Sequence, residues 1–165
     1  MQPIATPSRA LFASAGLMAG IIIVAASAVA CDDTTAPGPP TFVASLNGAS
    51  EVPAKAVAGT GSATIVKDGA TYAYTITYTG MTGPLTGAHI HGPASATTNA
   101  VVIVPFSTTG AGASGTLTGT FSSTNTATIS NDSLDVLMRT GGAYVNLHTA
   151  ANIGGEIRGQ LSQQP

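Results

Sequence analysis

The stretch TYAYTITYT, residues 71–79, decides the fold class of this protein. Tyrosine or isoleucine occupies every second position, and threonine or alanine fills the positions between. Because neighbouring residues of a strand point to opposite faces of a sheet, this alternation predicts a strand that is buried on one face. The preceding run, residues 62–70, contains Lys67-Asp68-Gly69, which is typical of a hairpin turn. We therefore expect an antiparallel strand pair here.

From Thr41 onward the sequence continues this pattern, with one exception. ISNDSLDVLMRTGG, residues 129–142, has apolar residues at near-helical spacing between polar cap candidates and a Gly-Gly stop, which predicts a short helix near residues 132–140. About eight short strands and one helix predict an all-β protein, either an antiparallel β-sandwich or a flattened barrel. The further strands are expected at residues 41–47, 86–91, 100–106, 113–122, 142–149 and 155–162.

The N-terminal segment predicts export. Arg9 is the only charged side chain before an uncharged, apolar run from Leu11 to Ala30, and this combination is typical of a signal peptide over residues 1–30. The run ends in Ala28-Val29-Ala30-Cys31, which resembles a bacterial lipobox, where the chain is cut and the new N-terminal cysteine is diacylated. Cys31 is the only cysteine, so it has no intramolecular disulfide partner. Lipidation gives this residue a role.

Two other interpretations of the same segment stay open. An apolar run of about 20 residues is long enough to span a bilayer as an uncleaved anchor, and Ala-Val-Ala also suits ordinary secretion. We favour the lipoprotein, which predicts that the lipid on Cys31 holds the protein to a membrane of a bacterial cell envelope. Residues 31–40 contain three prolines and predict an extended tether. The folded domain is then expected over residues 41–165.

The composition excludes several classes of function. Charged residues make up 7% of the chain and the formal net charge is −2, so a row of phosphates cannot be neutralised and no nucleic-acid partner is expected. A chain of 165 residues is long enough for one domain with a proper core. The sequence has no Gly-x-Ser-x-Gly motif and no phosphate-binding glycine loop, and its carboxylates are scattered. We therefore expect a protein that is not an enzyme.

Two of the three histidines lie within GAHIHGPA, residues 87–94. His89 and His91 are two residues apart on a predicted strand, so they point to the same face with Cα atoms roughly 6.5 to 7 Å apart. His148 lies on another predicted strand, residues 142–149. If the two strands are neighbours, the three imidazoles meet, and imidazole nitrogen suits copper or zinc. This pattern predicts a metal site formed by the three histidines.

The same histidines also fit a structural role. One ring nitrogen would donate to a neighbouring carbonyl, and the other would accept from Asn146 or a threonine hydroxyl. His-x-His alone is a weak signal, so we favour the hydrogen-bonded structural cluster over the metal site. Glu156 and Arg158 are predicted to share a face, where each would pair across a strand. Glu156 has a second interpretation, as a metal ligand or as an acceptor that orients one histidine.

Several stretches, taken together, resemble one known family. GAHIHGPA, AVVIVPF, LDVLMRTGGAYVNLHTAANIGGEIRGQL and, more weakly, LNGASEVP resemble in order and spacing the CHRD domain, named after chordin and found in many bacterial exported proteins. The resemblance covers about Thr41 to Leu161, and its mild departure is Ile153, where proline is commoner. It implies a compact extracytoplasmic β-domain similar to immunoglobulin-like sandwiches, without a settled activity. Chordin's growth-factor binding is ascribed to its cysteine-rich modules, so it is not expected of this sequence.

The segment Gly87-Ala88-His89-Ile90-His91 also resembles the strand that supplies two copper ligands in copper-zinc superoxide dismutases, which are β-sandwiches. That enzyme needs more histidines than the single one that remains here, His148. Dismutase activity is therefore not expected, and copper-dependent redox activity is a minor alternative. Our first hypothesis is a lipid-anchored extracytoplasmic β-sandwich, of immunoglobulin-like or superoxide-dismutase-like type, with a binding or structural role. The second is an envelope protein that binds copper or zinc.

Overall fold

The computed structural model describes residues 38–122 and 129–165. The predicted signal peptide, the lipidation site Cys31 and most of the predicted tether lie outside the described residues. Within the two described ranges, no helix is both long enough and apolar enough to cross a membrane. The same ranges contain a 3-10 turn (Gly48–Ser50), one helix, α1 (Asn131–Arg139), and nine strands: β1 (Thr41–Asn47), β2 (Thr60–Asp68), β3 (Thr71–Thr79), β4 (Leu85–His91), β5 (Val102–Pro105), β6 (Gly115–Phe121), β7 (Tyr144–Thr149), β8 (Ile157–Gln160) and β9 (Ser162–Gln163).

These elements confirm the predicted antiparallel all-β fold with one short helix. Strands β1 and β3 have the predicted bounds, and the hairpin between β2 and β3 turns at Gly69, whose φ of 57° favours glycine. The strand predicted over residues 155–162 is divided in two. Its first part, β8, lies between β7 and β1 and pairs with both, and its second part, β9, pairs with β1. The break falls at Leu161, whose side chain is buried in the core.

Helix α1 has the caps that the sequence predicts. The Ser130 side chain accepts a hydrogen bond from the backbone N–H of Ser133, and the backbone N–H of Thr140 donates to Val136 O. Leu134 and Met138 are fully buried, one turn apart on the inner face of the helix. Local capping and one apolar stripe are enough to fix this element, which is why the sequence pattern found it.

All the strands belong to one antiparallel sheet, with the order β5-β4-β7-β8-β1-β2-β3-β6, and β9 adds to β1. The two ends of the sheet approach each other through aromatic rings. Phe106, directly after β5, lies with its ring centroid 4.3 Å from that of Tyr74 in β3 and 5.9 Å from that of Phe121 in β6. The sheet is therefore nearly closed around the apolar core.

Strand β3 shows how the core is built. Its buried residues alternate with exposed ones along all nine positions, and the buried ones are the tyrosines and the isoleucine that the sequence pattern selected. Burial of a large apolar side chain contributes about 1.5 to 3 kcal/mol relative to its exposure. The core also includes fully buried residues from other strands of the sheet: Phe42, Ile65, Ile90, Val145, Leu147 and Ile157.

Strand β7 differs from β3 because all six of its residues are buried. Val145 and Leu147 face the core, whereas the opposite face carries polar and aromatic side chains that the loops 48–59, 92–101 and 150–156 cover. Two of these loops are joined directly, because Asn99 Nδ2 donates a hydrogen bond of 2.7 Å to Val52 O. The outer face of β4, β7 and β8 is therefore a buried polar layer, and it contains the candidate site.

Close contact between β8 and β1 supports this layer and gives a test. A β-carbon at Gly159 would lie 2.3 Å from Ser45 O, a backbone atom that cannot move without disturbing the sheet. We expect Gly159→Ala to lower the free energy of unfolding by about 1 to 3 kcal/mol, measured by urea denaturation. Gly83→Ala is the matched control, since nothing lies within 4 Å of a β-carbon there. Equal losses in the two variants would contradict the packing argument.

Candidate metal centre

The register between β4 and β7 brings the three histidines to one face of the sheet. His89 pairs with Asn146, and Gly87 pairs with His148. Directly paired residues of antiparallel strands project from the same face. His91 lies two residues beyond His89 and so projects from that face as well. The two strands are neighbours, which is the condition on which the predicted convergence depended.

The three imidazoles lie against one another. The ring centroids of His89 and His148 are 4.9 Å apart, those of His89 and His91 are 5.5 Å apart, and those of His91 and His148 are 5.8 Å apart. One ligand nitrogen from each ring lies within 4.8 Å of the other two. Two nitrogens bound to one ion at about 2 Å each are at most about 4 Å apart. A small side-chain movement would therefore close the rings around one ion.

Two backbone carbonyls determine which nitrogen carries the proton. His91 Nδ1 lies 2.9 Å from Ala100 O, and His148 Nδ1 lies 3.0 Å from Ile153 O. Because a carbonyl oxygen only accepts hydrogen bonds, Nδ1 of both rings must be the donor, and Nε2 of the neutral ring then holds a lone pair. Both Nε2 atoms are buried and have no hydrogen-bond partner among the described residues. Two lone pairs are thus available to an ion.

Burial keeps the three rings neutral. Burial lowers the pKa of His91 and of His148, and the carbonyl contact at Nδ1 opposes this shift only in part. Burial, together with the neighbouring His148 and His91, lowers the pKa of His89 to about 4. Neutral imidazole is the form that binds metal. At neutral pH an incoming ion would therefore have no proton to displace from these nitrogens.

The predicted structural role accounts for only half of these contacts. The Nδ1 atoms of His91 and His148 do bond to neighbouring carbonyls, as that role requires. Their Nε2 atoms do not bond to Asn146 or a threonine, however, and Asn146 Oδ1 and His89 Nδ1 are also buried without a partner among the described residues. A buried polar atom without a partner costs about 1 to 3 kcal/mol. A set of metal ligands fits this arrangement better than a closed hydrogen-bonded cluster.

The absence of a side chain at Gly87 leaves space for the imidazole rings of His89 and His148. A β-carbon at this position would lie 2.9 Å from His89 Cε1 and 3.6 Å from His148 Cδ2. Any side chain at residue 87 would therefore displace the imidazole of His89. This contact gives a physical reason for the glycine in the Gly-x-His-x-His segment.

Glu156 lies away from the histidines, in a polar cluster of its own. Its fully buried carboxylate accepts hydrogen bonds from Thr82, Thr149 and Asn152. Burial opposes its ionisation, but these hydrogen bonds outweigh burial and lower the pKa of Glu156. No hydrogen bond within the described ranges joins it to a histidine, so the geometry does not support a ligand or histidine-orienting role. Glu156 precedes β8, and its hydrogen-bond partners differ from the partners of Arg158.

Arg158, Tyr144 and His91 form a stack beside the histidine cluster. The rings of Tyr144 and His91 are nearly parallel, at an interplanar angle of 4° and a centroid distance of 5.0 Å. Arg158 Cζ lies 3.4 Å from the centroid of the Tyr144 ring. Tyr144 Oη accepts a hydrogen bond from Ala100 N, and Ala100 O accepts one from His91 Nδ1. The stack and Ala100 together fix the orientation of His91.

A comparison with known families identifies the domain that carries this cluster. The family model described as CHRD domain matches residues 42–161. The chain belongs to the CHRD domain family. The match includes the three histidines, the stack and almost all of the described strands, and it confirms the predicted family. No curated protein and no solved structure is significantly similar to the chain.

The CHRD fold adds a buried acid to the site that the sequence analysis did not select. Glu51 is 5% exposed, and its Oε1 atom, like Asn146 Oδ1, lies 2.7 Å from the point where a β-carbon of Gly155 would be. Burial raises the pKa of Glu51 to about 7, although the nearby charge of Arg158 lowers it. The only sequence signal for this residue is its place in the weak family stretch LNGASEVP.

The pKa of Glu51 predicts how stability depends on pH. The pKa is raised from 4.5 to about 7 on folding, so the folded state favours the neutral carboxyl. Its stabilising contribution is complete below pH 4.5 and is lost as the pH rises through 7. Glutamine at this position has no charge at either pH and avoids this loss. We therefore expect the unfolding free energy of Glu51→Gln, minus that of wild type, to increase by about 2 to 3 kcal/mol from pH 4 to pH 8. Chemical denaturation at both pH values measures this gain.

The control for this measurement is Asp68→Asn, which removes an exposed carboxylate from the end of β2. This variant should follow the wild-type dependence on pH. If Glu51→Gln also follows wild type, then the carboxyl of Glu51 is not held neutral by burial.

Proposed function

We propose that this CHRD domain binds one copper or zinc ion through His89, His91 and His148. One observation carries the proposal: two buried Nε2 lone pairs are oriented by carbonyl contacts at Nδ1 and converge with a third imidazole. A hydrogen bond from the opposite nitrogen to a carbonyl is the usual way in which proteins orient a ligand histidine. The metal-binding hypothesis, which ranked second on the sequence, now has the stronger physical support.

The energetics of the site also support this proposal. Unpartnered buried nitrogens lower the stability of the folded domain, and an ion that binds all three would remove that cost. Because the ion binds the folded state only, its binding free energy adds to the free energy of unfolding. Imidazole nitrogen is a common ligand for both copper and zinc, so the donor set agrees with either metal.

The proposed place of action is the bacterial cell envelope. The apolar run from Leu11 to Ala30, followed by Cys31, supports an exported lipoprotein whose metal-binding domain is attached by a proline-containing tether. We further propose that the protein is not an enzyme and acts by binding. The sequence supports this last point, since it has no Gly-x-Ser-x-Gly motif and its carboxylates are scattered along the chain.

Metal loading tests the proposed function. The full chain, expressed in a bacterium and purified in detergent, is incubated with copper or zinc, dialysed and analysed for bound metal. We expect about one ion per chain, and an affinity that falls more than about tenfold in His89→Ala, His91→Ala and His148→Ala, since loss of even an outer partner of a metal site costs that much.

Thr86→Ala is the matched control for the metal experiment, because it changes an exposed residue of the same strand, β4. It should bind metal as wild type does, and circular dichroism should show that every variant is folded. Failure of the folded wild-type protein to retain either metal at micromolar concentration would refute the proposal.

The lipid anchor is tested separately, by labelling cells with a fatty-acid analogue. We expect wild-type protein to incorporate the label and Cys31→Ala to lose it, because the cysteine sulfur is the proposed point of attachment. Ser27→Ala, within the same apolar run, is the control and should be labelled like wild type. Equal labelling of the wild-type and Cys31→Ala proteins would exclude the anchor.

A further inference from the structure

The charge balance around the histidine cluster bears on which ion it prefers. Each of the three donors is a neutral imidazole, and His91 and His148 are only 8% and 9% exposed. A cation that enters such a site brings charge into a region of low effective dielectric constant, where the energetic cost rises with the charge of the ion. An ion with one positive charge therefore costs less to bury here than an ion with two.

Arg158 adds a fixed positive charge beside the cluster. Its side chain is 1% exposed, and its terminal nitrogens donate to Ser95 O at 2.8 Å, Thr98 O at 3.0 Å and Asn99 Oδ1 at 3.2 Å. An arginine keeps its charge in proteins. The ion pairs within the described residues join Asp135 to Lys67 and Arg139 and do not include Arg158. The oxygens that accept hydrogen bonds from Arg158 are neutral and do not cancel its charge.

The stack places this charge close to the proposed metal ligands. Only the ring of Tyr144 separates the guanidinium of Arg158 from the imidazole of His91. Repulsion between Arg158 and a bound ion is proportional to the charge of the ion, so a divalent ion is destabilised twice as much as a monovalent one. Among the ions that imidazole binds well, copper is the one that has a stable monovalent state.

From these contacts we infer that the site is selective for monovalent copper and that Arg158 determines this selectivity through its charge. The inference rests on the proposed metal site. Arg158 also orients the ligands through the Tyr144 stack and the loop of residues 95–99. The experiment must therefore separate its charge from its packing.

Glu51 provides an independent test of the charge. Burial raises the pKa of Glu51 and lowers the pKa of Arg158, and the charge of each residue opposes the shift of the other. When Glu51 is ionised it offsets part of the positive charge of Arg158. Removal of that negative charge should therefore change metal selectivity in the direction opposite to removal of Arg158.

The measurement is the ratio of the affinities for monovalent and divalent copper. The full chain is titrated at pH 8 under anaerobic conditions, with bicinchoninate as the competitor for Cu(I) and nitrilotriacetate for Cu(II). We expect wild type to bind Cu(I) more tightly than Cu(II) or Zn(II). Arg158→Gln should reduce the Cu(I) to Cu(II) preference on the order of tenfold, as loss of one nearby unit charge implies, and Glu51→Gln should increase it.

Arg158→Lys is the matched control, because it keeps the positive charge but loses the planar fork that donates to the loop and stacks on Tyr144. We expect it to keep the wild-type preference. Equal loss of preference in the Lys and Gln variants would overturn the role of the charge, since packing alone would then explain both.

Two further outcomes decide the inference. Divalent ions bound as tightly as Cu(I) by wild type would overturn the selectivity while leaving the proposed metal site intact, whereas absence of any bound metal would refute the site itself. If Arg158→Gln fails to fold, Glu51→Gln still tests the charge, and a preference that falls or stays constant in that variant would overturn the inference.

Discussion

The antiparallel register of β4 against β7 is the constraint on which the rest of the site depends. It sets Gly87 opposite His148 and His89 opposite Asn146. A slip of one residue would turn every side chain of one strand to the other face. The register is held because Ala88 and Ile90 are fully buried in the core, and the same alternation that buries them directs the histidines outward. Apolar packing on one face thus sets the chemistry on the other.

Three loops bury that outer face. Residues 48–59, 92–101 and 150–156 cover it, and each contributes a group that the site uses: Glu51, Ala100 O and Ile153 O. Backbone carbonyls at two ligands fix the tautomer of the rings without adding charge. Exclusion of water also lowers the pKa of each histidine, so protons compete weakly with a metal. The proposed selectivity for a monovalent ion follows from the same dry, uncharged surroundings.

Arg158 links the covering loops to the ligands. Its hydrogen bonds hold the segment that precedes Ala100, and its contact with Tyr144 supports the stack on His91. Replacement of such a residue changes packing and electrostatics together. Glu156 is equally buried, but its carboxylate is hydrogen-bonded within its own cluster. It makes no hydrogen bond to a histidine within the described residues.

By itself, the sequence determined the all-β class, the bounds of β1 and β3, helix α1, the family and the three histidines, because strand alternation, helix caps and short motifs are local properties of the chain. Only the tertiary structure decided the pairing of β4 with β7, the cover over their outer face, and the positions of Glu51, Arg158 and Glu156 relative to the histidines. These contacts join residues far apart in the chain, such as Arg158 with Ser95. No local pattern encodes which loop packs on which strand. The alternation of polar and apolar residues along a strand is the same whether loops cover its polar face or solvent does.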